Sequence, residues 1–400
     1  MMSVDLPWDI TIEILSRLPV KSLMRFKCVS VSFYNLISND PLFRKKHLHY
    51  QSSFKNVIFV PHFINFQCRL VSISLEGDVR KNRVDLKLPT SGKVSFHNSC
   101  DGLFCMSMSG GDAVIWNPTT RQVRRFHTCP SYIPYRSWIG YSLAHDSRSD
   151  VYKLLGLTIT YGYGITTYKL HFYSTEKGMW RYIEEPSACD YVKYDGQTTI
   201  VNGAFHWLGS NEENFRRPHV VVSLDISDET YETLALPEAI WDDLTSPKLC
   251  ELNGKLCIVS QHIDYQCWDL WVMNEYGDVD SMMRMFRMSF AVQMDMFSWP
   301  FHMLVDDTIV IFDPEQIYFC KDGRVSRIIS IRKYRKYRYK KIYAYFESFI
   351  SPHTCLHGKE VNQKIVPNGF SATMGRDKQV VTKKWWPKSY LQRLCFCKSF

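Results

Sequence analysis

The 400-residue sequence lacks a hydrophobic run long enough to span a membrane. It contains no stretch of roughly 18 apolar residues, and Asp5 and Asp9 interrupt the apolar segment that a secretory signal would need. The N-glycosylation pattern occurs only at Asn117-Pro118-Thr119, where the proline excludes modification. We therefore expect a protein of the cytosol, the nucleus or both, with no membrane partner.

Catalytic motifs are also absent. The sequence has no G-x-S-x-G elbow, no H-E-x-x-H, no P-loop and no His/Cys cluster with zinc spacing. Gly162-Tyr163-Gly164 lacks the third glycine of a dinucleotide site. The acidic pairs Glu184-Glu185, Asp242-Asp243 and Asp306-Asp307 are sequence neighbours, and adjacent carboxylates on a strand or turn point apart. We expect a protein that is not an enzyme and needs no cofactor or metal.

The thirteen cysteines include no C-x-x-C pair, and the nearest two are Cys395 and Cys397. Scattered cysteines of odd number are typical of buried free thiols in a reducing compartment. We predict free thiols rather than disulfides or zinc ligands.

What the chain does have is a short apolar helical segment at its start. Apolar residues recur at helical spacing, and each of three predicted helices follows a capping residue: Asp9, Ser22 and Ser30. Asp40-Pro41 reads as a further cap with proline at the first helical position. A unit this small cannot bury all its apolar surface, so either a partner or the rest of its own chain must cover it.

The segment contains a set of short motifs: Leu6-Pro7, ILSRLPVKSL at 14–23, RFKCVS at 25–30, Leu36-Ile37 and Phe43. In these motifs it resembles the F-box. This resemblance implies docking onto a Skp-type adaptor, which bridges to a cullin scaffold and to a RING subunit that brings the ubiquitin-conjugating enzyme.

The resemblance implies an adaptor-binding set of apolar anchors. They are Leu6, Pro7, Ile14, Leu15, Leu18, Pro19, Leu23, Val29 and Phe33. Where the family usually carries Lys-Ser-Trp, this chain has Val31-Ser32-Phe33, with a smaller aromatic residue and without the positive charge. This departure bears on the strength of adaptor binding.

The rest of the chain repeats with a period near 50 residues. A turn pair precedes an apolar run at Asp101-Gly102, Asn202-Gly203, Asn253-Gly254 and Asp306-Asp307, and Ser149-Asp150 fills the long interval. Hairpins are predicted with turns at Asn117-Pro118, Glu176-Lys177-Gly178, Ser227-Asp228 and Glu275-Tyr276-Gly277. Such a period is typical of propeller blades of four strands, and the alternative is an irregular β-sandwich with evenly spaced hairpins.

A second resemblance favours the propeller. WNPTTR at 116–121, the stretch 140–153, VNGAFHWL at 201–208, DLWVMNEYG at 269–277 and YFES at 345–348 resemble the plant F-box-associated domain, described as kelch-like. We expect an all-α F-box of three short helices at 1–48, a kelch-like all-β propeller of about six irregular blades at 49–352, and a flexible basic tail at 353–400. In this family the C-terminal domain recruits the protein to be ubiquitinated.

Aromatic residues divide into two predicted groups. Trp116, Trp207, Trp268 and Trp271 lie in alternating runs, so we expect them to pack between blades. Residues expected on loops are candidates for target binding: Tyr132, Tyr135, Trp138, Tyr161, Tyr163, Tyr191, Tyr194, Trp241 and Tyr265.

The positive net charge comes from the C-terminal end. Residues 324–400 hold 18 Lys or Arg against 3 Asp or Glu, with a core of SIRKYRKYRYKK at 330–341. This core is interpreted as a solvated basic edge, in part a strand of the last blade, or as a patch that attracts an acidic target, mediates nuclear import or contacts nucleic acid.

Two hypotheses follow. The favoured one is the substrate-recognition subunit of a Skp-cullin-F-box (SCF) ubiquitin ligase, which recruits an unidentified target protein for ubiquitination and degradation and needs no nucleic acid. Some relatives at pollen self-incompatibility loci recognise style ribonucleases, and the sequence permits that role. The alternative is a basic propeller outside any ligase that binds an acidic protein or RNA.

Overall fold

In the computed structural model of the protein, a helical unit precedes an all-β body, and residues 1–360 belong to one compact unit. The structure describes residues 6–51, 56–61, 69–74, 83–87, 94–108, 110–127, 137–161, 166–174, 178–183, 198–209, 220–237, 240, 244–262, 267–289, 301–303, 308–312, 316–321, 324–330 and 339–353. Within these ranges, every helix is too short or too polar to cross a membrane.

The helical unit has four helices, so the prediction of three was wrong. They are α1 (Trp8–Ser16), α2 (Val20–Phe26), α3 (Val31–Asn39) and α4 (Pro41–Gln51). Asp40 caps the fourth helix, because its Oδ1 accepts a hydrogen bond of 2.9 Å from the backbone N–H of Phe43. Ser30 caps α3 as predicted, since its Oγ accepts from the N–H of Phe33 at 3.1 Å.

The other two predicted caps were wrong. Asp9 and Ser22 lie inside α1 and α2, which begin after Pro7 and Pro19. These prolines hold φ at −52° and −57° with an extended ψ, and the carbonyl of each accepts the first helical hydrogen bonds. The backbone geometry of proline therefore started these helices without a side-chain cap.

The described strands form six four-stranded antiparallel sheets. One sheet combines β1 (Asn56–Pro61), β2 (Arg69–Ser74) and β3 (Arg83–Lys87) with β24 (Tyr339–Tyr345), and the next holds β4 (Val94–Cys100), β5 (Leu103–Met108), β6 (Ala113–Trp116) and β7 (Val123–Phe126). The third holds β8 (Ser137–Asp146), β9 (Val151–Tyr161), β10 (Thr166–Ser174) and β11 (Met179–Ile183). The fourth holds β12 (Thr199–Val201), β13 (Ala204–Gly209), β14 (Val220–Asp225) and β15 (Tyr231–Ala235). The fifth holds β16 (Leu244–Leu252), β17 (Lys255–His262), β18 (Cys267–Met273) and β19 (Met282–Ser289), with a 3-10 helix at Val279–Ser281, and the sixth holds β20 (Phe301–Met303), β21 (Ile309–Phe312), β22 (Gln316–Lys321) and β23 (Arg324–Ser330).

Sequential strand order within the sheets gives the propeller arrangement. The first strand of one sheet lies beside the first strand of a neighbouring sheet in the pairs β24/β4, β4/β8, β12/β16 and β16/β20. One sheet breaks the sequential order, because β24 from the end of the propeller pairs with β1, with Asn56 opposite Tyr345 and Phe59 opposite Ile342. The two ends of the propeller chain are thus hydrogen-bonded to each other.

The predicted turn pairs mark equivalent positions in successive sheets. Asp101-Gly102, Asp150, Asn202-Gly203 and Asn253-Gly254 all connect a first to a second strand, and all have positive φ between 48° and 78°. Positive φ at both central residues is the requirement of a type I′ hairpin, which explains why Asn or Asp precedes glycine. Asp306-Asp307 lie outside the described residues.

Hydrophobic cores lie between neighbouring sheets. Trp116, Trp207 and Trp268 are buried in three different clusters, and the partly buried Trp271 packs against a fourth. The cluster around Trp207 joins β9 and β10 of one sheet to β13 and β14 of the next. The prediction that these tryptophans pack between blades is confirmed.

The described cysteines are free thiols, as predicted, but the expected burial holds for only some of them. Cys105, Cys257 and Cys320 are buried, Cys100, Cys250 and Cys267 are half-buried, and Cys28 is exposed. Burial raises the pKa of Cys320 to about 11, so its sulfur stays protonated at neutral pH. Thiols in this state are poor nucleophiles and poor metal ligands.

The basic core at 330–341 runs from one sheet to another, because Ser330 ends β23 and Tyr339 begins β24. Residues 339–341 begin β24, which pairs with β1, and residues 331–338 lie outside the described residues. The predicted tail lies outside them as well from residue 354 onward.

Candidate functional site

An exposed apolar surface characterises the helical unit. Large hydrophobic residues exposed there are Leu6, Trp8, Ile10, Ile14, Val29, Val31, Tyr34 and Leu42. The rings of Trp8 and Phe33 stack with centroids 5.9 Å apart, which joins the start of α1 to the start of α3. Apolar residues clustered at this density on so small a unit are typical of a protein interface.

The structure divides the predicted adaptor-binding set by exposure. Leu6, Pro7, Ile14, Pro19 and Val29 are exposed, Leu18 and Phe33 are half-buried, and Leu15 and Leu23 are buried. Leu15 and Leu23 belong to the core that the four helices share. Their side chains hold the helices together and are not presented at the surface.

Sequence reasoning missed several exposed residues. The predicted adaptor-binding set left out five exposed apolar residues: Trp8, Ile10, Val31, Tyr34 and Leu42. Helix α1 carries apolar residues on two sides, because Leu15 points to the core while Ile10 and Ile14 stay exposed. Apolar residues on two sides of so short a helix are the signal that could have identified an outer contact face.

A charged network braces α1 against α4 beside this surface. Glu13 accepts hydrogen bonds from Lys46, from Tyr50 and from Arg17, the latter two at 2.7 and 2.6 Å. These partners, Lys46 first, lower the pKa of the Glu13 carboxyl to about 2. Burial lowers the pKa of Lys27 at the end of α2. The Glu13 network fixes the angle between the first and last helices.

The opposite side of the helical unit packs against the propeller. Phe349, which follows β24, lies in the core of the helices, with its ring 5.9 Å from Phe43 and 4.9 Å from His47. Arg44 also pairs with Asp150, at the β8–β9 hairpin, at 2.8 Å. The rest of the chain therefore covers one side of the helices, which was one of the two expectations from the sequence. The other side stays exposed.

Most predicted target-binding residues lie outside the described residues: Tyr132, Tyr135, Tyr163, Tyr191, Tyr194, Trp241 and Tyr265. The remaining two, Trp138 and Tyr161, lie in β8 and β9, so their expected placement on loops was wrong. Trp138 pairs with Ile159 near the end of the β8–β9 ladder that begins with Ser137 and Thr160. That end of the ladder is opposite the Asp150 hairpin, which contacts the helical unit. The two ends are separated by the length of a ten-residue strand, roughly 30 Å.

No group of three or more His, Cys, Asp or Glu side chains is arranged to hold a metal ion among the residues that the structure describes. Asp269, the buried carboxylate in β18, is instead held by Arg287 at 2.8 Å through both oxygens and by Arg284 at 3.4 Å. These two arginines outweigh the effect of burial and lower the pKa of Asp269. Both arginines extend from β19, so this ion pair holds the outer strand of its sheet.

Comparison with known proteins matches both parts of the chain. The F-box domain matches residues 4–45, and the F-box associated beta propeller domain matches residues 59–357. The chain is 26% identical over 318 residues to F-box protein CPR1 of Arabidopsis thaliana, which covers 74% of this chain and 75% of that protein. It is 25% identical over 335 residues to F-box/kelch-repeat protein At3g23880 of the same plant, over 80% of this chain and 89% of that protein. With its exposed helical surface and six four-stranded sheets, the chain belongs to the plant F-box proteins that carry a C-terminal F-box associated β-propeller domain.

Proposed function

We propose that the protein is the target-recognition subunit of an SCF ubiquitin ligase. In this proposal the exposed apolar surface of the F-box docks a Skp-type adaptor, and through it the cullin and RING subunits. The propeller end that carries Trp138 and Tyr161 recruits a target protein. The single observation that carries the proposal is the F-box with one side packed on its own propeller and the other side apolar and exposed.

A receptor of this kind needs no catalytic residue of its own. The rate gain comes from holding a target lysine near a ubiquitin thioester carried by another subunit, which converts a bimolecular encounter into an effectively intramolecular one. The docking surface and the far end of β8 are separated by the height of the propeller, so adaptor and target do not compete for space. We place this activity in the cytosol or nucleus, and style ribonucleases are one class of target to assay.

The proposal predicts that a charge placed on the exposed surface abolishes adaptor docking. Ile14→Glu in the full-length chain is expected to weaken binding to a purified plant Skp-type adaptor by at least about 30-fold, since an anchor at the centre of an interface contributes about 2 kcal/mol or more. Calorimetry or biolayer interferometry measures the dissociation constant. Ile14 is 47% exposed, so the substitution leaves the core of the F-box intact.

Ile328→Glu is the matched control for this experiment. Ile328 lies in β23, is 54% exposed, and receives the same change of side chain away from the F-box. Its adaptor affinity is expected to equal that of the unmodified chain. Absence of adaptor binding by the unmodified chain would contradict the ligase role and favour the basic propeller as a binding module for an acidic protein or RNA.

A further inference from the structure

A segment after β24 connects the propeller to the F-box. We call residues 346–353 the C-terminal clasp. Its neighbouring residues Phe349 and Ile350 insert in opposite directions: Phe349 joins the F-box core, and Ile350 joins a propeller core that includes Leu103 and Leu143. The clasp is therefore shared between two hydrophobic cores.

Phe349 completes the F-box core. Its side chain is only 7% exposed and lies against Phe43 and His47 of α4. The Nε2 atom of His47 lies 3.0 Å from the carbonyl oxygen of Leu18, just before Pro19 starts α2. The ring of Phe349 thus supports both α4 and the turn between α1 and α2, and this turn belongs to the predicted docking surface.

Asn117 of the propeller holds Phe349 in place. Its Nδ2 atom donates hydrogen bonds to the carbonyl oxygens of Ser348 and Ile350, at 2.9 and 2.8 Å, on both sides of Phe349. Its Oδ1 atom accepts from the backbone N–H groups of Thr119 and Thr120, within the β6–β7 hairpin. Asn117 is fully buried, so one side chain ties this hairpin to the backbone of the clasp.

We propose that Phe349 and Asn117 are positioning residues for adaptor docking, so that the F-box takes its binding-competent form only when the end of the propeller is in place. A unit of about 45 residues buries too little apolar surface to be stable alone. Its missing core residue lies some 300 positions later in the chain, beyond the strand that pairs with β1. This inference rests on the proposed ligase function, and it makes adaptor recruitment conditional on a completed propeller.

The test measures adaptor affinity and hydrogen exchange in the full-length protein. Phe349→Ala is expected to raise the apparent dissociation constant for a plant Skp-type adaptor at least about tenfold, because only the competent fraction binds. Exchange of the amides in α2 and α3 is expected to accelerate, while the amides of β13 and β14 keep their protection. Phe205→Leu, in the propeller core of β13, is the control and is expected to leave adaptor affinity unchanged.

A second variant separates positioning from loss of a core ring. Asn117→Asp removes the donor that faces Ser348 and Ile350 and keeps the acceptor for Thr119 and Thr120. We expect the same weakening of adaptor binding and the same exchange in α2 and α3, although no F-box residue is changed. Asn202→Asp, at the exposed turn before β13, adds the same charge elsewhere and is expected to have neither effect.

Two results would overturn the inference. One is unchanged adaptor affinity and unchanged F-box exchange in Phe349→Ala and Asn117→Asp. The other is faster exchange spread equally over the F-box and the propeller, because the residues would then act through global stability. Failure of the proposed function is distinguishable, since the unmodified chain would itself fail to bind the adaptor while the exchange experiment would still report on the clasp.

Discussion

Gly102→Ala is expected to lower the free energy of unfolding by about 2–5 kcal/mol. Gly102 has a φ of +78°, a conformation that costs an alanine about 1–2 kcal/mol. An added Cβ would also lie 2.5 Å from the Cβ of Ser348 and 2.7 Å from the carbonyl oxygen of Phe346. Forced overpacking of this kind typically costs about 1–3 kcal/mol more, because the clasp backbone must move.

Gly203→Ala isolates the conformational part of this cost. Gly203 occupies the same position in the β12–β13 hairpin, with a φ of +73°, but an added Cβ would meet no atom within 4 Å. Its expected loss is about 1–2 kcal/mol. Urea unfolding followed by circular dichroism measures both variants, and equal losses would show that close approach of the clasp does not constrain Gly102.

Acidification from pH 7 to pH 4 is expected to remove about 3 kcal/mol of stability through His206. This histidine is fully buried in β13, with Nε2 2.8 Å from the hydroxyl of Tyr276 and Nδ1 3.4 Å from the carbonyl oxygen of Thr199. Burial lowers its pKa from 6.5 to about 4. The unfolded chain therefore binds a proton more readily, so the contribution is complete above pH 6.5 and is lost progressively as the pH falls towards 4.

His206→Gln provides the comparison, because glutamine keeps polar atoms at this position and does not titrate. Its stability at pH 7 is expected to be lower than that of the unmodified protein, and the loss between pH 7 and pH 4 is expected to be smaller by about 3 kcal/mol. Burial also lowers the pKa of His47 and His171, and these residues contribute equally to both proteins. Parallel pH profiles of the two proteins would contradict the assignment to His206.

Local chemistry made much of the fold predictable. Asn202-Gly203 and Asn253-Gly254 adopt positive φ because few other residue pairs tolerate it, and their spacing located the first and second strands of two sheets. Ser30 capped its helix as predicted because a cap involves only three neighbouring residues. Asp9 and Ser22 failed as caps because Pro7 and Pro19 had already set the backbone before them.

Burial within the F-box could not be read from residue type. Leu15 and Ile14 are neighbours of similar hydrophobicity, yet Leu15 is buried and Ile14 is exposed. The difference depends on where α4 and Phe349 pack, and neither lies next to α1 in sequence. A pattern of apolar residues identifies a helix with two apolar sides but not which side the rest of the chain covers.

The sequence alone determined the two-part organisation, the turn positions of the propeller and the apolar character of the F-box, because turns and helices depend on interactions within a few residues. Only the tertiary structure decided that β24 pairs with β1, that Asn117 holds the clasp, and that Phe349 fills the F-box core. These contacts join residues more than 200 positions apart. Their geometry depends on how the intervening sheets pack, which no local pattern specifies.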